Sequence, residues 1–140
     1  LEQKVNKRIE NANALLDLIS DYEVLIPQKV PKNYTHSYYT LACRLNPDIN
    51  WQKFRKIFNE NGGEGFYSAW SVPYLEPLMV NRSFNNRFDS KFRIKEYKKG
   101  ECPIAEDLQS EIIQFKTNYL TKKDIYRQAK ALKRTLLYFK

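Results

Sequence analysis

The sequence predicts an α+β fold: a small, mainly antiparallel sheet with helices packed on it. Three observations carry that expectation. Apolar residues recur at helical spacing at both ends of the chain, and runs rich in strand formers lie at residues 36–45 and 66–70. Helix start and stop signals punctuate the stretch between. At 140 residues and 16.7 kDa the chain is the size of one ordinary domain, large enough to bury about 68% of its unfolded surface around one core. It contains no internal repeat and no long low-complexity linker, so residues 1–140 are read as one unit.

The first helix follows from Val5, Ile9, Ala12, Leu16 and Ile19, which step by alternate fours and threes and so share one face. Glu23-Val24-Leu25-Ile26, stopped by Pro27, reads as a short strand, and His36 to Leu45 as a central one. Asn50 is placed to cap a helix bearing Trp51, Phe54, Ile57 and Phe58, and Gly62 to end it in the left-handed conformation. Phe66 to Trp70 returns as a strand. Pro103 suits a first helical position, with Glu106 and Asp107 near the positive end of the helix dipole and Ile104, Leu108 and Ile112 expected on one face. Ile113 to Lys116 reads as a further short strand. Thr121 and Asp124 form an acidic variant of the capping box, opening a terminal helix whose buried face is Ile125, Ala129, Leu132, Leu136 and Phe139. Residues 81–100, with seven bases against Asp89 and Glu96, read as a mobile loop or insertion.

Composition excludes several functions. Two cysteines, Cys43 and Cys102, and one histidine, His36, are too few for a structural zinc site, which takes four such ligands. The cysteines are expected as reduced thiols in a cytosolic protein, with Cys102 at a helix N-terminus, where a thiol pKa can fall. Apolar runs fall short of the ~20 residues that span a bilayer. The chain begins at Leu1-Glu2-Gln3-Lys4 without an initiator Met or an apolar signal core, which suggests a piece of something longer, entered inside a helix.

The densest functional signal is the run Gly62 to Pro77. Three of the four glycines lie there, ahead of Phe66, Tyr67, Trp70 and Tyr74 and two prolines. Aromatic rings stack on the flat faces of sugars and bases while carboxylates and phenols bond hydroxyls, so Tyr67, Trp70, Tyr74 and Glu76 are the candidate ligand wall. The competing structural explanation is that such aromatics simply seat the sheet on its helices. His36 is a further candidate, since imidazole changes charge near neutral pH.

These residues fall in a family order. Arg8-Ile9-Glu10-Asn11-Ala12, the His36-Ser37-Tyr38-Tyr39 strand, a helix ending in glycine, the segment from Gly62-Gly63-Glu64-Gly65-Phe66-Tyr67 through Tyr74-Leu75-Glu76-Pro77, the Cys102-Pro103-Ile104-Ala105-Glu106 helix start and a terminal helix opened by Thr121 follow one another across essentially the whole chain. Together they resemble the small C-terminal domain of sugar-nucleotide aminotransferases of the DegT/DnrJ/StrS type. The resemblance implies an enzyme that moves an amino group, usually from glutamate, onto a keto-sugar nucleotide through pyridoxal phosphate, in the biosynthesis of amino sugars. It further implies a cytoplasmic homodimer. The Schiff-base lysine and the cofactor-binding elements would lie in a large N-terminal domain that these residues do not include, so this fragment alone is expected to be inactive, to bind no pyridoxal phosphate and to hold no catalytic residue. Its role would be to close one side of a cleft completed by the partner subunit. Two departures stand out: Ala69-Trp70-Ser71-Val72-Pro73-Tyr74 occurs where many members carry His-Tyr-x-Pro, and no Leu-Pro pair precedes the last helix.

The charge suggests an alternative. The formal net charge is +8, and residues 116–140 hold eight bases against Asp124 alone. Lys123, Arg127, Lys130 and Arg134 form a stripe opposite the apolar face of the last helix, and residues 81–100 intersperse Phe84, Phe88, Phe92 and Tyr97 with bases. A nucleic-acid-binding domain using those two regions is the runner-up, and its signature would be binding to arbitrary oligonucleotides that weakens steeply with salt. A solvated basic face is the plainer explanation of the stripe. A third reading makes the exposed aromatics a protein-interaction surface.

Overall fold

The computed structural model describes residues 1–64, 66–68, 71–81 and 96–140. Among the described residues ten elements follow in order: α1 (Glu2–Ile19), β1 (Leu25–Pro27), β2 (Thr40–Leu45), α2 (Trp51–Glu60), β3 (Tyr67–Ser68), a 3-10 turn at Pro73–Leu75, α3 (Pro77–Val80), α4 (Pro103–Gln109), β4 (Ile112–Lys116) and α5 (Lys122–Tyr138). The class is the predicted α+β. The four strands form one sheet in the order β1-β2-β4-β3, every pair antiparallel.

Strand alternation decides what each face does. Leu41, Cys43 and Leu45 of β2 and Ile113 and Phe115 of β4 are buried on one face, against Leu15 and Ile19 of α1, Phe54 and Phe58 of α2 and Leu132 and Leu136 of α5. An aromatic cluster centres this core: Phe66 lies 5.6 Å from both Phe54 and Phe115, and Phe58 meets Phe115 edge-on at 5.7 Å. Spacings of that size suit ring quadrupoles as well as apolar burial. The residues one step out of phase, Thr40, Ala42, Arg44, Ile112, Gln114 and Lys116, stay at least partly exposed on the other face.

The caps act as expected. The Asn50 side chain accepts the Lys53 N–H at 2.9 Å, and Thr121 accepts the Asp124 N–H at 3.1 Å while its hydroxyl donates to the Asp124 carboxylate at 2.6 Å. Gly62 stops α2 at φ 86°, a conformation that a Cβ disfavours.

Four local expectations are corrected. The buried stripe of α1 is Asn11, Ala12, Leu15 and Ile19, rotated from the predicted one because a polar residue, Asn11, has bonding partners in the interior. On α5 the stripe likewise takes in Gln128, Ala131 and Thr135, with Ala129 and Phe139 only partly buried. The central strand begins at Thr40, not His36, because Tyr38 sits at φ 45° and breaks the extended run. Ile104, Leu108 and Ile112 share no helix face: α4 ends at Gln109, Ile112 belongs to β4, and Ile104 is exposed.

Among the described residues no helix is long and apolar enough to cross a membrane, and no group of three His, Cys, Asp or Glu residues is placed to hold a metal. Cys43 is buried and Cys102 exposed, both free thiols. Of the 81–100 stretch expected to be a loop, residues 82–95 lie outside the described residues, including Phe84, Phe88 and Phe92.

Candidate functional site

The open face of the sheet carries a recess of about 620 Å³ lined by Arg8, Tyr39, Thr40, Tyr67, Ile112, Gln114, Lys116 and Asn118. Strand register explains its floor. Tyr67 of β3 pairs with Gln114 of β4, which on its other side pairs with Ala42 of β2, so the three line up across the sheet. Thr40 pairs with Lys116 one step along the same face, and the Thr40 hydroxyl donates to Gln114 Oε1 at 3.2 Å. Ala42, being small, leaves room above this row. Tyr67 and Tyr39 stand up from it, 51% and 78% exposed.

The rim at Arg8 is built by a knot of hydrogen bonds between α1, the start of β2 and the turn after β4. Arg8 donates to the Tyr39 carbonyl at 2.6 Å, and its guanidinium lies 5.2 Å from the centre of the Tyr39 ring. Asn11 donates both carboxamide hydrogens, to Thr117 O and Tyr119 O, each at 2.8 Å. The wholly buried Thr117 hydroxyl donates to Tyr38 O at 2.5 Å. Arg8 and Asn11, two of the residues of the Arg-x-x-Asn-Ala pattern, therefore hold the first helix to the sheet, and Arg8 also reaches the recess.

Glu64 organises the opposite corner. Its N–H donates to Gln128 Oε1 at 2.7 Å, and its carboxylate accepts from Arg127 at 2.7 Å and faces the Lys116 ammonium at 3.6 Å. Burial pushes the nearby Tyr119 phenol well above its ordinary pKa, and the Glu64 charge adds to the shift. Arg127 of the basic stripe is thus paired, while Lys123, Lys130 and Arg134 remain exposed.

The residues singled out in the sequence do not converge on one spot. Tyr67 lines the recess. Tyr74 lies in the 3-10 turn, where its hydroxyl donates to the Glu106 carboxylate and accepts the Cys102 N–H at 3.1 Å; Glu106 also accepts the Gly100 N–H at 2.7 Å, and the Tyr97 ring lies 5.9 Å from that of Tyr74. This latch ties the chain around residues 97–106 to the Pro-rich turn. Desolvation and the Glu106 bond raise the Tyr74 phenol to about 12, and the Tyr74 and Gly100 bonds lower the Glu106 carboxyl. Glu76, exposed, opens α3 as its N-cap residue without a side-chain capping bond. His36 turns back on its own loop, its Nδ1 accepting the Tyr38 N–H at 3.0 Å and its ring 4.4 Å from that of Tyr38. Trp70 lies outside the described residues.

Sequence reasoning missed Arg8, Tyr39, Thr40, Gln114, Lys116 and Asn118 as one group. The phase of β2 and β4 places Thr40, Gln114 and Lys116 on one side, but nothing local brings Arg8 to them.

No family model matches the chain, and no curated protein does. Solved structures do. The fold is similar to that of an aminotransferase, TlmJ, from Streptoalloteichus hindustanus, with a TM-score of 0.72 and 16% identity over 99% of this chain and 33% of that one. DesV from S. venezuelae, solved with a ketimine intermediate, matches with a TM-score of 0.71 and 12% identity, over 94% of this chain and 32% of its own. A DegT DnrJ EryC1 StrS aminotransferase from Brucella abortus matches at 0.62 and 15%, over 96% and 32%. The architecture is therefore one found within sugar aminotransferases of the DegT/DnrJ/StrS type, and this chain spans about a third of the length of those it matches.

Proposed function

We propose that these residues are the C-terminal small domain of a pyridoxal phosphate-dependent aminotransferase that acts on a keto-sugar nucleotide in amino-sugar biosynthesis. The observation that supports this most is the fold match over 99% of the chain to a third of an aminotransferase. The family order of motifs running from Arg8 to Thr121 points the same way. In this reading the chain's partners are a large N-terminal domain, a second subunit of a cytoplasmic homodimer, the sugar nucleotide and a glutamate donor.

Pyridoxal phosphate, when bound, supplies the electron sink through which an amino group passes between donor and acceptor. The described residues do not fit as its holder. Their lysines are all exposed or only partly buried, and the residues lining the recess include no carboxylate to face a pyridine nitrogen. No chemical step is assigned to this chain for that reason. Its work is to wall and orient: Tyr67, Trp70, Tyr74, Glu76 and His36 are the proposed substrate-side residues, of which Tyr67 lines the recess with a ring free to stack on sugar or base, while the Tyr74 hydroxyl is engaged by Glu106 and Cys102 and His36 Nδ1 by the Tyr38 N–H. Excluding water on closure would strengthen every polar contact inside the cleft.

The test uses the longer protein that carries these residues. It should show an internal-aldimine absorbance with pyridoxal phosphate, transaminate a keto-sugar nucleotide with glutamate, and on borohydride reduction yield one pyridoxyl-lysine outside these 140 residues. A reduced adduct on a lysine of this chain, or no transamination across a panel of keto-sugar nucleotides, would overturn the proposal.

A further inference from the structure

We propose that the outward face of α5 docks the protein on an anionic lipid bilayer, its cations meeting the headgroups while Tyr126, Leu137 and Tyr138 enter the interface between them. This docking is independent of the aminotransferase reading, because α5 lies on the helix-covered side of the sheet and the recess on the other.

Charge comes first. α5 packs on both α1 and α2, which makes it the middle helix of its layer and leaves one side facing outward. Six of its exposed positions are cations: Lys122, Lys123, Arg127, Lys130, Lys133 and Arg134. The remaining exposed positions are Tyr126, Leu137 and Tyr138, so the outward arc holds no acid and no neutral polar residue other than the tyrosine hydroxyls. The one carboxylate in the helix, Asp124, is taken by the Thr121 cap. Among the described residues Arg127 alone of the six cations has an ion-pair partner, Glu64. On the flanks, Lys53 of α2 adds a further ammonium 5.4 Å from the Tyr138 ring centre, and Glu10 of α1 is offset by Lys7 at 3.0 Å.

Such an arc works against the helix that carries it. Lys130 has Arg127, Lys133 and Arg134 three or four residues away, so like charges face one another along the surface. Lys122 and Lys123 stand in the first turn, where the helix dipole disfavours cations. Solubility does not require this, since interspersed glutamates would supply it without the repulsion. A sheet of anionic headgroups relieves both strains at once.

The apolar members decide what kind of polyanion fits. Tyr126, Leu137 and Tyr138 are 71%, 52% and 55% exposed, and a merely solvated basic face has no use for them. Tyr126, Lys130, Lys133 and Leu137 step by four, three and four, which sets them in one line along the middle of the arc. Lysines alternating with aromatic and aliphatic residues are the pattern of a helix lying in a bilayer interface. There the lysine stems lie along apolar surface while their ammonium groups reach the headgroups, and tyrosines sit at headgroup depth. Nucleic acid would use the cations and stack on the tyrosines, but it gains nothing from an aliphatic side chain at Leu137.

The experiment sediments the longer protein that carries these residues with vesicles of phosphatidylcholine alone or of equal parts phosphatidylcholine and phosphatidylglycerol. Binding is expected to the anionic vesicles only, and should weaken about tenfold or more between about 0.05 and 0.5 M salt as the Debye length shortens. A cation near an anionic surface changes binding about fivefold, so Lys130→Gln combined with Lys133→Gln should weaken it about 25-fold. Lys29→Gln combined with Lys32→Gln removes the same charge from the exposed loop before β2 and should leave binding nearly unchanged. Leu137→Ser should weaken vesicle binding about fivefold through the apolar area it no longer buries, and should leave binding to a DNA oligonucleotide unaltered. Tyr126→Ser repeats that reading at a second position, and circular dichroism checks that each variant is folded. Absence of sedimentation with the anionic vesicles, or equal losses in the two lysine pairs, would overturn the proposal. So would DNA bound more tightly than the vesicles with Leu137→Ser and Tyr126→Ser silent in both, an outcome that makes nucleic acid the partner of this face.

Discussion

Replacing Asn11 by alanine isolates the bond that fastens the first helix to the sheet. Asn11 is 2% exposed and donates to two carbonyl oxygens, Thr117 O and Tyr119 O, at 2.8 Å each. Alanine removes both donors and leaves the acceptors without a replacement. A buried polar group left unsatisfied costs about 1–3 kcal/mol, and because only the Thr117 contact is fully buried the sum should fall at about 2–4 kcal/mol. Better helix propensity returns about 0.5 kcal/mol at most. For 140 residues, an unfolding entropy of about 2.1 cal/mol/K per residue converts the net loss into a Tm lower by about 5–14 °C. Circular dichroism melts of the chain, with a urea series for the free energy, measure it. Asn13→Ala on the exposed side of the same helix is the control and should be neutral or slightly stabilising. Asn11→Asp should be at least as harmful as alanine at neutral pH, because a carboxylate would face two carbonyl oxygens. If Asn11→Ala costs less than about 1 kcal/mol, the knot is not what positions Arg8 at the recess.

Other consequences follow from the same packing. A Cβ at Gly63 would meet the Phe58 ring at 2.5 Å; since Phe58 is buried, Gly63→Ala should cost about 1–3 kcal/mol by overpacking, whereas Gly62→Ala, which meets nothing, should cost only the ~1 kcal/mol of its left-handed conformation. Burial pushes the Cys43 thiol up to about 12, so an Ellman titration at pH 8 should count one rapid thiol, Cys102, and a second only on unfolding; two rapid thiols would refute the buried placement. Tyr74→Phe should accelerate hydrogen exchange at the Gly100 and Cys102 amides while leaving the core amides protected. Glu106 titrates lower when folded, so its share of that latch is present above the unfolded carboxyl value and fades as pH falls through the folded one; Tyr74 titrates higher, so its share is full below its ordinary 10 and is lost as pH rises through about 12. Aromatic NMR shifts of Tyr74 and Tyr97 should therefore be flat between those limits and move at both ends, and a shift centred near neutral pH would refute the assignment.

Element type was legible wherever local chemistry decides it. The Asn50 cap, the Gly62 stop and the Thr121–Asp124 box are short-range bonding problems with one good solution, and the structure adopts each. Helix faces were less legible. Apolar spacing alone put Val5, Ile9 and Leu16 on the buried face of α1 because it scores asparagine as surface, yet Asn11 is buried where two backbone acceptors await it. The strand that was read from His36 starts at Thr40 because Tyr38 is held at φ 45° by His36 Nδ1 on one side and the Thr117 hydroxyl on the other, and Thr117 is 79 residues away from Tyr38. Of the aromatics flagged between Gly62 and Pro77, Phe66 went to the core, Tyr67 to the open recess and Tyr74 to a latch with Glu106.

The amino-acid sequence by itself determined the class of fold, the places where most helices and strands begin and stop, and the concentration of positive charge in the last helix. These depend on propensities, caps and periodicities that act within a few residues of one another. Only the tertiary structure decided which side chains share a surface. Arg8 joins Thr40, Tyr67, Gln114 and Lys116 because an antiparallel register aligns β2, β4 and β3 and because Asn11 fastens α1 to the turn after β4, across 106 residues of chain. Such a meeting is set by how one core packs, and no window of sequence contains it.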